Sequence, residues 1–247
     1  MTLLNRIIIA LISIGLLAVG FFAFGENGIL KSSQTKITKT SHKKVKGLNK
    51  NATSALEDST FTISQKNSEL IVRLYKDGIA SAFAHDHVVR AGDVSGKVVF
   101  KKERPELFEM LIKVPSESLV ADSEKDREKY NLSSLQEDER KEINKTMKGS
   151  EQLHVEKYPM IRFSSNKLEK KGTDNYTLTG DFTLHGITNK IALPVTITTE
   201  KNAVNINGEF RFLQSDYGIE PYSTGWGAVK NKDEVLLLFD LYATKNK

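Results

Sequence analysis

The sequence contains no cysteine. Disulfide staples, thiolate metal sites, a cysteine nucleophile and a lipid-modified N-terminal cysteine are therefore excluded. The absence leaves the compartment open, because a domain of this size builds a sufficient core without disulfides. Also missing are a Gly-x-Ser-x-Gly elbow, a phosphate-cradling glycine loop and a His-Glu-x-x-His helix, so nothing points to an enzyme. Net charge is missing from the body of the chain. The 247 residues sum to +5, but residues 1–60 hold eight Lys/Arg against three acids, and residues 61–247 hold 28 of each. Nucleic-acid recognition needs basic residues clustered on the folded part, and that class is set aside.

What is present begins with an apolar run. Arg6 precedes Ile7–Gly25, which is free of charge up to Glu26. As a helix it would reach roughly 28 Å, about the hydrocarbon thickness of a bilayer. Two readings stand: a secretory signal peptide ending near Ala23-Phe24-Gly25, or an uncleaved N-terminal anchor holding the protein to a membrane. Both put the remainder in the periplasm or cell envelope. Residues 26–60 are rich in Lys, Ser, Thr and Asn without apolar period, and read as a flexible basic linker.

From Phe61 onward short alternating runs follow. Leu70, Val72 and Leu74 share a face, as do Phe108, Met110, Ile112 and Val114, then Ile161 and Phe163. Tyr176, Leu178, Gly180, Phe182 and Leu184 follow, then Ile191 to Ile197, Val204 and Ile206, Phe210 and Phe212, and Val235 to Leu241. Period-2 alternation marks antiparallel strands with one face in a core. Between Pro115 and Tyr158 the chain is highly charged. Ser134-Leu-Gln-Glu137 has a capping-box pattern, Ile143 and Met147 share a helical face, and Gly149 is a natural stop, so one inserted helix is expected. The acidic residues of 122–142 read as solvated charge. About eight strands suit a closed barrel or a sandwich, and periodicity does not choose between them.

Several segments in order resemble the YceI-like, polyisoprenoid-binding family. They are Ala84-His-Asp-His with Gly92 and Gly96; Tyr158-Pro-Met-Ile-Arg-Phe163, like "yPxIxFxS"; Leu178 to Val195, containing Phe182-Thr-Leu-His-Gly-Ile187 and close to "GxLTLHGxTkxvxlPv"; and Ser215-Asp-Tyr-Gly-Ile219, like "rsDfGi". The resemblance implies an all-β fold, an extended eight-stranded antiparallel lipocalin-like barrel over residues 61–247. It further implies an apolar lipid ligand, a polyisoprenoid or isoprenoid quinone, in place of a cofactor.

The residues expected to line such a pocket are Phe83, Phe100, Phe108, Met110, Ile112, Phe163, Leu178, Phe182, Ile197, Phe210, Phe212, Trp226 and Phe239. A solid core would use most of the same side chains. Trp226, on a glycine-rich loop, would plug one end, gate the pocket or simply pack. His85 and His87 fall on one strand face and would supply two ligands of a metal site, the alternative to a lipid. A third alternative is a filled barrel that presents its loops to a partner. His185-Gly186 reads as a hairpin turn tied down by the imidazole, and Asp216 to Gly218 as turn chemistry.

Overall fold

The computed structural model describes residues 59–245. The strands are β1 (Thr60–Ile63), β2 (Glu69–Asp77), β3 (His87–Ala91), β4 (Ser95–Val99), β5 (Glu109–Pro115) and β6 (Leu119–Ala121). After helices α1 (Glu124–Lys129) and α2 (Glu137–Lys148) come β7 (Met160–Lys170), β8 (Asn175–Leu184), β9 (Ile187–Glu200) and β10 (Ala203–Leu213). The short β11 (Ser223–Thr224) and the long β12 (Val229–Thr244) complete the set. The signal-or-anchor segment and most of the linker lie outside the described residues.

All strand pairs are antiparallel, and the order β1-β4-β5-β7-β8-β9-β10-β12 returns to β1 through Thr62↔Thr244 and Ile63↔Ala243. This is the closed eight-stranded barrel expected. Closure removes the unpaired edges that an open sheet of eight strands would expose. Three strands are broken along a single line. β1 kinks into β2, β3 into β4, and β5 into β6, and the breaks touch: Gln65 donates to the Gly92 carbonyl at 2.7 Å, and the Gly92 amide donates to the Ser118 carbonyl at 2.9 Å. A Cβ on Gly92 would sit 2.6 Å from that same oxygen, so the fold line requires glycine there.

Beyond the line β2, β3 and β6 continue the wall, but β6 parts from β7. Helix α2 spans the gap with Ile143 and Met147 packed onto the core. Its Asn144 treats the exposed β6 edge as another strand would: its amide oxygen accepts from the Ala121 amide at 2.8 Å and its nitrogen donates to the Ala121 carbonyl at 2.9 Å. Buried backbone groups demand partners, and one side chain supplies two. The helix begins after Gln136, whose amide donates to Glu139 at 2.8 Å, so the cap lies two residues beyond the expected Ser134. Gly149 ends the helix as expected. A second helix, α1, was not anticipated; its six residues, EKDREK, carry no apolar period to read. Among the described residues no helix is long and apolar enough to cross a membrane.

Candidate functional site: an apolar cavity between two packed ends

The meander places its connections alternately at two ends. At the lower end lie the β4–β5, β7–β8 and β9–β10 connections; at the upper end lie β2–β3, the helical insert, the β8–β9 turn and the 214–228 segment. The lower end is packed solid. Phe100 meets Phe108 and Tyr176 edge-on, at 6.3 and 6.0 Å between centroids, while Ile197, Val204 and Ile206 are buried beside them. Edge-to-face rings fill space efficiently and add to the burial of their area.

Above this plug is a cavity walled by β2, β5, β7, β8, β9, β10 and β12. Two glycines shape it. A Cβ on Gly180 would lie 2.6 Å from the Phe163 ring, and one on Gly208 would lie 2.8 Å from the Phe239 ring. The outer edge of each ring therefore occupies the place a side chain would take on the adjacent strand. The lining is hydrocarbon apart from Arg162, which is exposed. The cavity volume is about 60 Å³.

The upper end is closed by Phe182, Phe210, Phe212 and Tyr217, whose successive ring contacts fall between 5.3 and 6.4 Å. Tyr217 sits in the short turn Ser215–Tyr217, ended by Gly218 at φ +67°. The β8–β9 turn braces it. His185 and Gly186 both have positive φ, 51° and 78°, as a two-residue hairpin turn of the right twist requires. The His185 Nδ1 lies 3.1 Å from the Tyr217 carbonyl, and the ring packs on Tyr158 at 4.2 Å. A carbonyl only accepts, so Nδ1 carries the proton and the buried Nε2 is left as an acceptor with no partner. The imidazole thus ties down its turn as the sequence implied. Gln152 links the helical insert to the same rim by donating to the Glu220 carbonyl at 3.1 Å.

Of the residues expected to line a pocket, Met110, Ile112, Phe163, Leu178, Phe182, Phe210 and Phe239 line this cavity. Phe100, Phe108 and Ile197 belong to the lower plug, and Phe212 to the upper cap. Phe83 and Trp226 are corrections: they stand in solvent, 65% and 107% exposed, because they sit in turns where strand alternation does not apply. The lining residues passed over are aliphatic, among them Val114, Ile191, Leu193 and Leu237. Their signal is the same period-2 pattern, which marks an inward face without telling cavity wall from solid core.

The histidine pair is also corrected. β3 starts at His87, so His85 lies before the strand. The His87 Nδ1 is 2.6 Å from Asp122, a fully buried carboxylate that also accepts from the Val88 amide (3.1 Å) and Arg127 (2.7 Å). Burial pushes the Asp122 carboxyl up, but these donors outweigh it and hold the group below the ordinary carboxylate range. His85 is held below the usual imidazole range by desolvation and then by the Arg127 charge. Next to them Asp126, equally buried, is bound by Arg90 and Ser123, and Arg90 reaches on to Glu69 at 2.6 Å. The acids read as solvated are thus two buried anchors that pin α1 to β3. Among the described residues no group of three or more His, Asp or Glu is arranged to hold a metal ion.

A closed eight-stranded barrel with an apolar lumen and a helical insert narrows the comparison, and the family model for the YceI-like domain matches residues 30–243. The chain belongs to the YceI-like domain family. The match begins upstream of the described barrel, inside the segment read as a linker. Among solved structures, Burkholderia cenocepacia BcnA superposes with a TM-score of 0.58 at 18% identity, covering 74% of this chain and 99% of its own. A mutant Campylobacter jejuni YceI protein gives 0.50 at 16% identity, covering 64% of this chain and 85% of its own. At such identity the likeness is one of fold. Comparison with curated protein sequences returned no match. YceI-like domains are binding barrels for hydrophobic ligands and not an enzyme family.

Proposed function

We propose that this YceI-like barrel is an extracytoplasmic lipid carrier, held near a membrane by its N-terminal segment, whose cavity takes a polyisoprenoid or isoprenoid-quinone-like chain. The observation that carries the reading is the lumen itself: a hydrocarbon-walled cavity whose Phe163 and Phe239 rings reach over Gly180 and Gly208. Such a wall recognises length and girth rather than hydrogen-bonding groups. Binding would come from buried area, about 25 cal/mol per Å², less the cost of ordering the tail.

The volume sets a condition. Roughly 60 Å³ of free interior is too little for a long chain, so loading requires the upper rings, Phe182, Phe210 and Phe212, to swing aside. The same number supports a second reading, a filled barrel that presents its loops to a partner. Mass spectrometry of organic extracts of the protein, purified from an envelope fraction without detergent, separates the two. One stoichiometric isoprenoid species, lost in Phe182→Glu while the β-sheet circular dichroism persists, is the expected result. An empty extract from folded wild-type protein would favour the filled barrel.

A further inference from the structure

The geometry points to a lipid-bilayer docking tip at the upper end of the barrel, formed by Ile79, Phe83 and Trp226 on two touching loops. The β2–β3 loop and the β11–β12 turn are locked together: the Ala80 amide donates to the Ala228 carbonyl at 2.9 Å, and a Cβ on Gly78 would lie 2.5 Å from that oxygen. Ile79 is 98% exposed, Phe83 65% and Trp226 107%, whereas the other large exposed apolar residues are near 40%. Their exposure is not slack. Gly225, Trp226 and Gly227 have φ of 60°, 59° and 83°, and a bulky non-glycine residue in that region is held against its preference. The chain thus adopts a disfavoured backbone to hold its only tryptophan in water.

The chemistry around the tip selects its partner. Residues 78–84 and 221–229 contain no charged side chain, and they are bordered by both signs of charge, Lys76, Lys230 and Lys232 with Asp77 and Glu220, Asp77 lying 3.4 Å from Lys230. An uncharged point carrying an indole, a phenyl ring and an isoleucine, rimmed by charged residues, matches the boundary between headgroups and acyl chains. A protein partner would find no pocket or hydrogen-bonding frame on so small a point. Docking there sets the capped end of the cavity against the phase in which an isoprenoid dissolves. In that respect the inference rests on the carrier reading.

The single tryptophan makes the test direct in the full-length chain, since an apolar N-terminal segment contributes no indole signal. Trp226 emission would be recorded with vesicles of phosphatidylethanolamine and phosphatidylglycerol, with and without brominated acyl chains. The expected result is a blue shift and at least twofold quenching by brominated lipid, both abolished in the double variant Ile79→Ser, Phe83→Ser. Emission that stays at the solvated position while the protein floats with vesicles overturns the tip, because the N-terminal segment alone is then the anchor. A blue shift that grows with protein concentration without vesicles also overturns it and assigns the face to a second copy. The carrier reading fails separately: quenching with an empty organic extract leaves the tip standing, and a lipid-bearing extract without quenching leaves the cargo standing.

Discussion

The two ends of the barrel are held by different forces. The lower end is held by apolar packing: Phe100, Phe108 and Tyr176, whose buried hydroxyl has no partner, interlock beside Val204 and Ile206, which are fully buried. The upper end rests on an aromatic cap, two-residue turns at positive φ, and a buried ionic seam that fastens α1 to β3 and reaches the tip loop through Arg127 and the Asp86 carbonyl (3.2 Å). Apolar packing has no preferred direction and no titration, so the lower end is a permanent plug. Charges and turns hold one geometry and release it when a single contact changes. The end that the carrier proposal requires to open is built from contacts that can be undone singly.

The contrast can be broken first at the plug. Phe108→Ala should cost about 4 kcal/mol, because a tightly enclosed ring leaves a cavity that cannot collapse; urea midpoints would record it, with unchanged dependence on pH. Asp122→Asn should cost about 3 kcal/mol, since Arg127 is left buried without its counter-charge. Amide exchange should then accelerate in α1 and β3 ahead of β8 to β10. A third expectation follows from titration. Asp122 and Asp126 are depressed in the folded state, where burial raises them but their donors win. Their stabilisation is complete above the unfolded carboxylate value of about 3.9 and drains away as pH falls through the lower folded values. Thermal midpoints measured below pH 4 should fall less steeply in Asp122→Asn than in wild type. Phe210→Ala, bordering space that is already empty, should cost only about 2 kcal/mol and enlarge the cargo that co-purifies. Trp226→Gly should raise stability by about 1 kcal/mol, read from the same urea curves, because glycine accepts the positive φ without strain and the indole touches so little.

Which parts were legible follows from the range of the interactions. Strand faces are local, so Tyr176 to Leu184 and Val235 to Leu241 announced themselves by alternation. The resemblance, resting on the Leu178–Val195 hairpin, supplied the closure that periodicity leaves undecided. The fold line was hidden because Gln65, Gly92 and Ser118 meet only after three strands are paired. The ionic seam was hidden for the same reason: Asp122 finds His87 across 35 residues of sequence, and each looks solvated when read alone. Within the site, alternation separates inside from outside but not plug from cavity wall. Phe108 and Phe163 carry the same pattern, and the difference between them is Gly180, the diagonal neighbour on β8 that the Phe163 ring reaches over. Phe83 and Trp226 were misplaced because hydrophobicity was taken as burial in segments that belong to no strand.

The seam between β1 and β12 rests on two residue pairs that join position 62 to 244 and 63 to 243. Those contacts span nearly the whole barrel, so the ring remains an open sheet until its last strand arrives. Loop closure over such a separation is entropically late and slow. A chain synthesised N-terminus first would thus wait, edges bare, for the sixteen residues of β12. The assembly order is written into the topology: the last strand made is the latch, and any partner guarding the nascent chain must guard β1 until the latch falls.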